Sequence, residues 1–331
     1  MHVDEFLDPK ILIVSGKGGV GKTTVAAALA LVAARHGRKV CVAEIDRKGS
    51  LPKLFGGGEV TYEPRELSPG VWGLNIIPED ALAEYLRVQY HMSRISRVFR
   101  STHFVDYITT AAPGLKDILV LGKIWYLEQD RDHGGGAHGF DTIIVDAPAA
   151  GHMATFLKAP QGLADAVRVG PVRRQSEWLD EMLTDPKRSR VHLVTLPEEM
   201  PVGETLETST VLENDLGISQ GPVFANAVYS RLLTDEETDE FEAIAADGKI
   251  DELCDVAKTA GIKLDNDDLD ALQGYAHFLK VRRGIQSDHL KKLRRGTTQP
   301  VMELPFLFSA GLALPDIDTL ADVIEEQMES L

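Results

Sequence analysis

Short apolar runs alternate along the chain with longer segments in which apolar residues recur at helical spacing. The runs occupy residues 11–14, 40–45, 74–77, 142–145, 191–194, 223–225 and 301–304. Short runs rich in β-branched residues are typical of strands that a parallel sheet buries on both faces. Because these runs alternate with helical segments, the pattern predicts an α/β fold in which helices flank a mainly parallel, twisted sheet.

The first two runs predict a strand–loop–helix–strand unit. A glycine-rich segment follows the first run, and an apolar helix is expected from Thr23 to about His36. Gly37 then stands where helices often end in a glycine of left-handed conformation. The second run leads directly into Asp46, so these elements form a βαβ unit.

Three intervals between the runs are longer than a simple crossover requires. They cover about residues 81–130, 156–185 and 232–295, and each has a helical pattern. We expect residues 1–331 to form a single domain in which these intervals build an inserted α-helical subdomain. Because the carboxyl ends of parallel strands share one edge, we expect that subdomain to stand over the ligand edge of the sheet.

Residues 16–23, Gly-Lys-Gly-Gly-Val-Gly-Lys-Thr, fit the phosphate-binding pattern G-x-x-x-x-G-K-[ST]. The glycines let successive backbone N–H groups face a phosphate chain without a Cβ in the way. Lys22 is predicted to reach the β- and γ-phosphates, and the Thr23 hydroxyl to bind Mg²⁺. Since the motif lies between a predicted strand and a predicted helix, it indicates a P-loop NTPase that uses ATP and Mg²⁺. The predicted nucleotide contacts here are Gly16, Gly18, Gly19, Val20, Gly21, Lys22, Thr23 and Thr24.

Two aspartates follow predicted strands and extend the predicted site. Asp46 stands where a carboxylate can orient the attacking water and help to hold the metal, with a surface aspartate at a strand end as the alternative. Asp146 follows Thr-Ile-Ile-Val, the pattern of a Walker B strand, and is predicted to hold Mg²⁺ directly or through water. Residues 146–152 are then expected to form a switch loop in which Gly151 offers its backbone N–H to the γ-phosphate.

The phosphate loop carries a second lysine, Lys17, immediately after its first glycine. An ordinary phosphate loop does not need it, and a solvated surface lysine is the alternative. With this lysine the loop resembles that of the deviant Walker A ATPases, which include MinD, ParA, the nitrogenase iron protein and ArsA. The resemblance implies a nucleotide-sandwich dimer in which Lys17 reaches the partner's phosphates and is catalytic in trans. Groups of this kind, such as arginine fingers, accelerate phosphoryl transfer by roughly 10³–10⁵.

Further segments resemble the ArsA branch of that family, which includes the ATPase that targets tail-anchored membrane proteins. Residues 146–152, Asp-Ala-Pro-Ala-Ala-Gly-His, are similar to its switch II, although the proline lies one place earlier. A loop near the nucleotide in that branch is similar to residues 112–114. The strand and loop that follow its helical insertion are similar to residues 193–205. The resemblance also implies that Asn226 hydrogen-bonds adenine and that Pro305, in Leu-Pro-Phe-Leu, belongs to the loop that walls the base.

Other positions depart from the ArsA branch and narrow the expected function. Arg-Lys-Gly follows Asp46, where the targeting ATPases have Pro-Ala-His, so the role of Asp46 transfers less securely than that of the phosphate loop. The two cysteines, Cys41 and Cys254, supply neither the zinc-binding CxxC of the eukaryotic targeting factor nor the several cysteines of an arsenite site. We therefore expect neither a zinc-clamped dimer nor arsenite efflux.

The formal net charge of −16, from 51 acidic and 35 basic residues, restricts the expected partners. It argues against nucleic acid and anionic lipid, and so against ParA-like and MinD-like functions. The nitrogenase iron protein needs cysteines at its dimer interface to hold an iron–sulfur cluster. Neither cysteine of this chain follows a switch II-like loop, so the chain is not expected to be that protein. No signal-peptide pattern precedes the first run, and no apolar run reaches the roughly 20 residues that span a bilayer. We expect a cytoplasmic protein without an integral membrane segment.

Two functional hypotheses remain. In the first, ATP closes a dimer and joins two helical subdomains into an apolar surface for a hydrophobic client. Candidate residues are Leu82, Tyr85, Leu86, Val88, Met92, Ile118, Leu119, Leu121, Ile124, Trp125 and Leu127. Stripes of this kind also pack cores, and an exposed contiguous apolar patch would favour the client hypothesis. In the second, ATP switches a homodimer, or a dimer with an unlike paralogous subunit, that binds a soluble partner.

Overall fold

A single sheet organises the computed structural model, which describes residues 3–45, 49–90, 114–129, 139–167, 169–230, 234–246, 250–263 and 265–330. Its strands are β1 (Ile11–Gly16), β2 (Val40–Glu44), β3 (Arg65–Ser68), β4 (Val71–Asn75), β5 (Thr142–Ala149), β6 (Ser189–Thr195), β7 (Val223–Val228) and β8 (Val301–Pro305). They lie in the order β3-β4-β2-β5-β1-β6-β7-β8. Neighbouring strands are parallel except β3 and β4, which confirms the predicted α/β fold.

Helices cover both faces of this sheet. They are α1 (Val3–Phe6), α2 (Lys22–Arg35), α3 (Leu51–Leu54), α4 (Pro78–Tyr90), α5 (Leu115–Gln129), α6 (Ala150–Ala166), α7 (Pro171–Thr184), α8 (Glu199–Asn214), α9 (Asp235–Ala246), α10 (Ile250–Thr259), α11 (Asn266–Gly296) and α12 (Leu314–Ser330). One core cluster joins one sheet face to α2 and α12. A second joins the opposite face to α5, α6, α7 and α8. The phosphate-loop helix therefore belongs to a different layer from most of the long helical intervals.

The predicted apolar helix after the phosphate loop is confirmed as α2. All residues from Val25 to Ala33 are buried, because α2 lies between the sheet and α12. A helix that is apolar on every side is stable only in such a setting. Gly37 follows its end with a φ of 75°, the left-handed conformation expected of a terminating glycine.

One strand of the sheet, β3, was not predicted from the sequence. Strand β3 reads Arg-Glu-Leu-Ser, its residues are exposed or half-buried, and it pairs antiparallel with β4 at the edge of the sheet. The tight turn between them contains Gly70, whose φ is 78°. Apolar runs mark only strands that are buried, so a polar edge strand leaves no such signal in the sequence.

The long intervals contain helices that pack in two groups. In the first group α4 packs on α5, which contacts α6 and α7. In the second, α9 and α10 pack on α11, which also contacts β7 and α8. Residues 91–113, 130, 168, 232–233, 247–249 and 264 of the predicted subdomain lie outside the described residues, so its extent stays a prediction. Among the described helices, none is long and apolar enough to cross a membrane.

His192 is a fully buried histidine in β6, between the rings of Phe6 and Phe224. Its Nδ1 lies 3.2 Å from the backbone oxygen of Pro222, so Nδ1 carries the proton and Nε2 is an acceptor. Nε2 has no hydrogen-bond partner among the described residues. Burial lowers the pKa of His192 from 6.5 to about 3, because the apolar surroundings disfavour the imidazolium form.

This depressed pKa predicts a specific loss of stability in acid. Between about pH 3 and 6.5 the unfolded His192 binds a proton that the folded one does not, so acidification favours unfolding. We expect the free energy of unfolding of the wild type to fall more steeply over this range than that of His192→Leu, by up to about 1.4 kcal/mol per pH unit. Urea titrations of both proteins at several pH values measure this. Parallel pH dependences would contradict the prediction.

Candidate functional site

The phosphate loop leaves the carboxyl end of β1, in the middle of the sheet between β5 and β6. The loop approaches β6 so closely that a Cβ on Gly16 would lie 2.0 Å from the backbone oxygen of Val194. Gly19 and Gly21 have φ values of 88° and 93°, in the left-handed region that glycine adopts without strain. The motif therefore has the backbone conformation for which its glycines were predicted.

Gly21 directs the chain into α2, so the backbone N–H groups of Lys22, Thr23 and Thr24 lie in the first helical turn. The N–H groups of a first turn lack intrahelical acceptors, and the helix dipole adds positive potential there. The Lys22 side chain folds back over the loop, with Nζ 3.4 Å from the backbone oxygen of Lys17. Backbone donors and an ammonium group thus converge on a place suited to phosphate.

Thr23 and Asp146 meet across the ends of α2 and β5. The Thr23 hydroxyl donates a 2.6 Å hydrogen bond to Asp146 Oδ2, although the residues are 123 positions apart in the sequence. Asp146 is only 9% exposed. Hydroxyl and carboxylate oxygens are ligands that suit Mg²⁺, which normally also keeps several waters and binds phosphate oxygens. The predicted metal-binding pair therefore comes together as the motif requires.

Strand β5 changes the predicted shape of the segment after Asp146. The strand continues to Ala149, and Gly151 lies in the first turn of α6, so the prediction that Gly151 belongs to a loop is wrong. Parallel pairing with β1 extends the strand, with Gly16 opposite Ala149, and Ser15 donates a 2.9 Å bond to the backbone oxygen of Pro148. Gly151 is exposed, and its N–H in a first turn remains a suitable donor.

Lys17 is not a freely solvated lysine. Its Nζ lies 3.4 Å from Glu204 Oε2 on α8, and each side chain is about 30% exposed. In this conformation the Glu204 carboxylate pairs with Lys17 of the same chain. Sequence reasoning did not assign Glu204 to the site, because a residue on a helix 187 positions away gives no local signal.

Asp46 lies outside the described residues, so its catalytic and metal-binding roles stay predictions. The residue two places before it, Glu44, ends β2 and is 2% exposed. Its Oε1 accepts 3.0 Å hydrogen bonds from the backbone N–H groups of Ser50 and Leu51. Glu44 therefore fixes the start of α3, and both ends of the segment that contains Asp46 are anchored. The sequence offered no sign of this role.

Asn226 and Pro305 lie in the neighbouring parallel strands β7 and β8. Asn226 Nδ2 donates a 2.9 Å bond to the backbone oxygen of Val20, so its side chain lies against the phosphate loop. A Cβ on Gly21 would lie 2.2 Å from the same Nδ2 atom. Pro305 pairs in register with Val228, two residues beyond Asn226. Asn226 thus lies beside the loop, and the contact of either residue with a base stays a prediction.

These contacts predict that Gly21→Ala disables the site. The new methyl group clashes with the Asn226 amide, and alanine is strained at a φ of 93°. We expect nucleotide affinity to fall by at least about tenfold, with a loss of stability above 1 kcal/mol. Titration with a fluorescent ATP analogue and chemical denaturation measure the two effects.

Gly162→Ala is a matched control, because Gly162 lies within α6 with open space around its Cβ position. This variant should bind nucleotide like the wild type. Unchanged affinity in Gly21→Ala would show that the loop tolerates the methyl group and that Asn226 does not restrict it.

Comparison with known proteins agrees with this geometry. A family model described as an anion-transporting ATPase, ArsA type, matches residues 9–174. ATPase BagA of Mycobacterium tuberculosis (strain H37Rv) is 33% identical over 332 residues, which cover 96% of this chain and 93% of that protein. The arsenical pump-driving ATPases of Escherichia coli and Acidiphilium multivorum are 26% and 25% identical over 60% and 72% of this chain, but over only 36% and 42% of their own lengths. The chain is therefore a member of the ArsA family of ATPases, and it hydrolyses ATP.

Proposed function

We propose that this ATPase works in the cytoplasm as a nucleotide-sandwich dimer, with itself or with an unlike paralogous subunit, and couples ATP binding to the capture of a hydrophobic client protein. The observation that carries the proposal is an apolar cavity between α4, α5, α6 and α7. Its volume is about 220 Å³. Nucleic acid and integral membrane insertion have no part in this function.

Several predicted client-binding residues line the cavity. They are Leu82, Tyr85, Val88, Ile118, Leu119 and Trp125. Of the other stripe residues, Leu121, Ile124 and Leu127 are buried in the core, Leu86 is half-buried and is not among the residues that line the cavity, and Met92 lies outside the described residues. The stripes therefore divide between core packing and the cavity wall.

The rim of the cavity continues into solvent. Trp125 stacks on Trp178 with ring centroids 5.5 Å apart, and Trp178 is 39% exposed. Val88 and Val172 are exposed to a similar extent at the same rim. Deeper inside, Lys123 binds Glu84 at 2.8 Å, so the charges at the wall are neutralised. An apolar cleft with satisfied polar groups suits an apolar side chain or segment.

We propose catalytic roles that the geometry around the phosphate loop supports, together with the role that the sequence predicts for Asp46. Lys22 and the first turn of α2 would bind the phosphates, and Thr23 with Asp146 would hold Mg²⁺. Mg²⁺ held by these two residues would neutralise charge on the phosphate oxygens. Asp46 would orient the attacking water, and the Gly151 N–H would contact the γ-phosphate. Lys17 would leave Glu204 on dimer closure and stabilise the charge that develops on the partner's phosphates.

A regulatory nucleotide switch is the second candidate function. It is favoured by exposed apolar residues on α11, which include Tyr275, Phe278, Val281 and Ile285. This face lies on the second helical group, away from the residues that line the cavity. A soluble partner or an unlike subunit that covered it would leave the α4–α7 cavity without a client.

Lys17→Ala should separate nucleotide binding from hydrolysis. If Lys17 acts in trans, its loss removes a transition-state contact but leaves the contacts of Lys22 and the loop amides intact. We expect kcat to fall by roughly 10³ with ATP affinity within a few-fold of the wild type. Steady-state kinetics and equilibrium binding measure both. Lys22→Ala is the comparison, and it should lose binding itself. Full turnover by Lys17→Ala would contradict the trans role.

The client proposal predicts a difference between two exposed valines. Val88 is 41% exposed at the cavity rim, and Val281 is 47% exposed on α11. We expect Asp46→Asn, held in ATP and Mg²⁺, to capture membrane proteins that carry a hydrophobic segment. Adding Val88→Asp should reduce the amount of captured protein by at least about tenfold, because it places a charge in the apolar rim.

Val281→Asp is the matched control and should capture the same proteins as its parent. Mass spectrometry of the captured proteins measures both effects. Capture of one soluble protein or of a paralogous subunit, lost in Val281→Asp but kept in Val88→Asp, would reject the client function in favour of the switch.

A further inference from the structure

The backbone of β7 has an unusual conformation next to the phosphate loop. Ala227 has a φ of 58°, and it is the one non-glycine residue in the described part of the chain with a positive φ. The register between β7 and β8 shifts between Ala225 and Val228, at the same place. A side chain in the left-handed region is strained, so the surroundings must hold this bend in position.

Gln286 of α11 provides that hold. Its Oε1 accepts a 2.9 Å bond from the Tyr229 N–H, and its Nε2 donates a 2.9 Å bond to the Ala227 carbonyl oxygen. Because one partner is a donor and the other an acceptor, the two bonds fix the orientation of the amide. Gln286 is 7% exposed, so water competes little for these groups.

The residue before the bend connects it to the phosphate loop. Asn226 donates one Nδ2 hydrogen to the Val20 carbonyl oxygen, and Oδ1 is the acceptor of its amide. An acceptor suits the 6-amino group of adenine and opposes the 6-carbonyl group of hypoxanthine or guanine. The direction of the Asn226 side chain depends on the backbone that Gln286 fixes at Ala227.

We propose that Gln286 is a positioning residue for nucleotide recognition: it holds the β7 bend so that Asn226 both supports the phosphate loop and presents Oδ1 to the adenine base. The inference rests on the base contact proposed for Asn226. It also connects α11 to the nucleotide indirectly, through the two hydrogen bonds of Gln286 to the β7 backbone and through Asn226. No motif marks Gln286, since its partners lie more than 50 positions away.

A purely structural role is the competing explanation, because α11 packs on β7 and any buried glutamine could simply stabilise that contact. Gln220 supplies the comparison. Just before the opposite end of β7, it accepts a 2.7 Å bond from the Ser209 hydroxyl and donates a 3.0 Å bond to the Ser209 carbonyl oxygen. The two glutamines thus make a similar pair of bonds, but only Gln286 is next to the nucleotide site.

The test is a double-mutant cycle of Gln286→Glu and Asn226→Ala, with ATP and inosine triphosphate as substrates of the full chain. Glutamate keeps the acceptor for Tyr229 but turns an oxygen toward the Ala227 carbonyl. We expect Gln286→Glu to raise KM for ATP roughly tenfold, to raise KM for inosine triphosphate much less, and to leave kcat within about twofold. In the Asn226→Ala background it should change neither KM further. Gln220→Glu should leave the ATP preference unchanged.

Several results would overturn the proposal. An unchanged KM for ATP in Gln286→Glu, or a rise that persists in the Asn226→Ala background, would show that Gln286 does not act through Asn226. If Asn226→Ala itself keeps the full preference for ATP over inosine triphosphate, the base contact is wrong and the inference falls with it. Should Gln286→Glu not fold, Gln286→Met removes both bonds without adding charge and is measured against the same predictions.

Discussion

The phosphate loop lies so close to the neighbouring strands that atoms of β6 and β7 occupy the space that side chains on two of its glycines would need. The Val194 carbonyl of β6 excludes any Cβ at Gly16, and the Asn226 amide of β7 does the same at Gly21. The loop therefore takes its shape from the sheet, independently of a ligand. Nucleotide meets donors that are already aimed, and little conformational entropy is lost when it binds. The rest of the site is arranged around this contact.

The parts of the site that the sequence predicted correctly are those in which a local motif meets a general rule of topology. Thr23 and Asp146 come together because the ends of parallel strands share one edge, and this holds whatever lies in the 123 positions between them. The buried strands and α2 were equally predictable from the sequence, since their apolar patterns are continuous. Edge strand β3 was not, because exposure permits a polar sequence with no distinctive period.

Residues that act through a single polar contact outside any motif were not predicted from the sequence. Glu44, Glu204 and Gln286 are each an ordinary polar residue at the end of a strand or on a helix, and no sequence pattern identifies the group that each one binds. Gly151 shows the opposite error. Its motif was recognised, but β5 pairs with β1 beyond Asp146 and the loop expected there is absent. Gly151 therefore lies in the first turn of α6. Function at such positions depends on contacts that propensity does not encode.

The burial of α2 from Val25 to Ala33 also determines how hydrogen exchange in this helix would respond to nucleotide. Amide protons between Val25 and Ala33 lie in a helix enclosed by the sheet and α12, so only global unfolding exposes them to solvent deuterium. Bound ATP would slow their exchange only by raising the stability of the whole domain. The amides of Lys22, Thr23 and Thr24, at the start of the same helix, would instead report the phosphates locally, so one helix distinguishes a global from a local effect of the nucleotide.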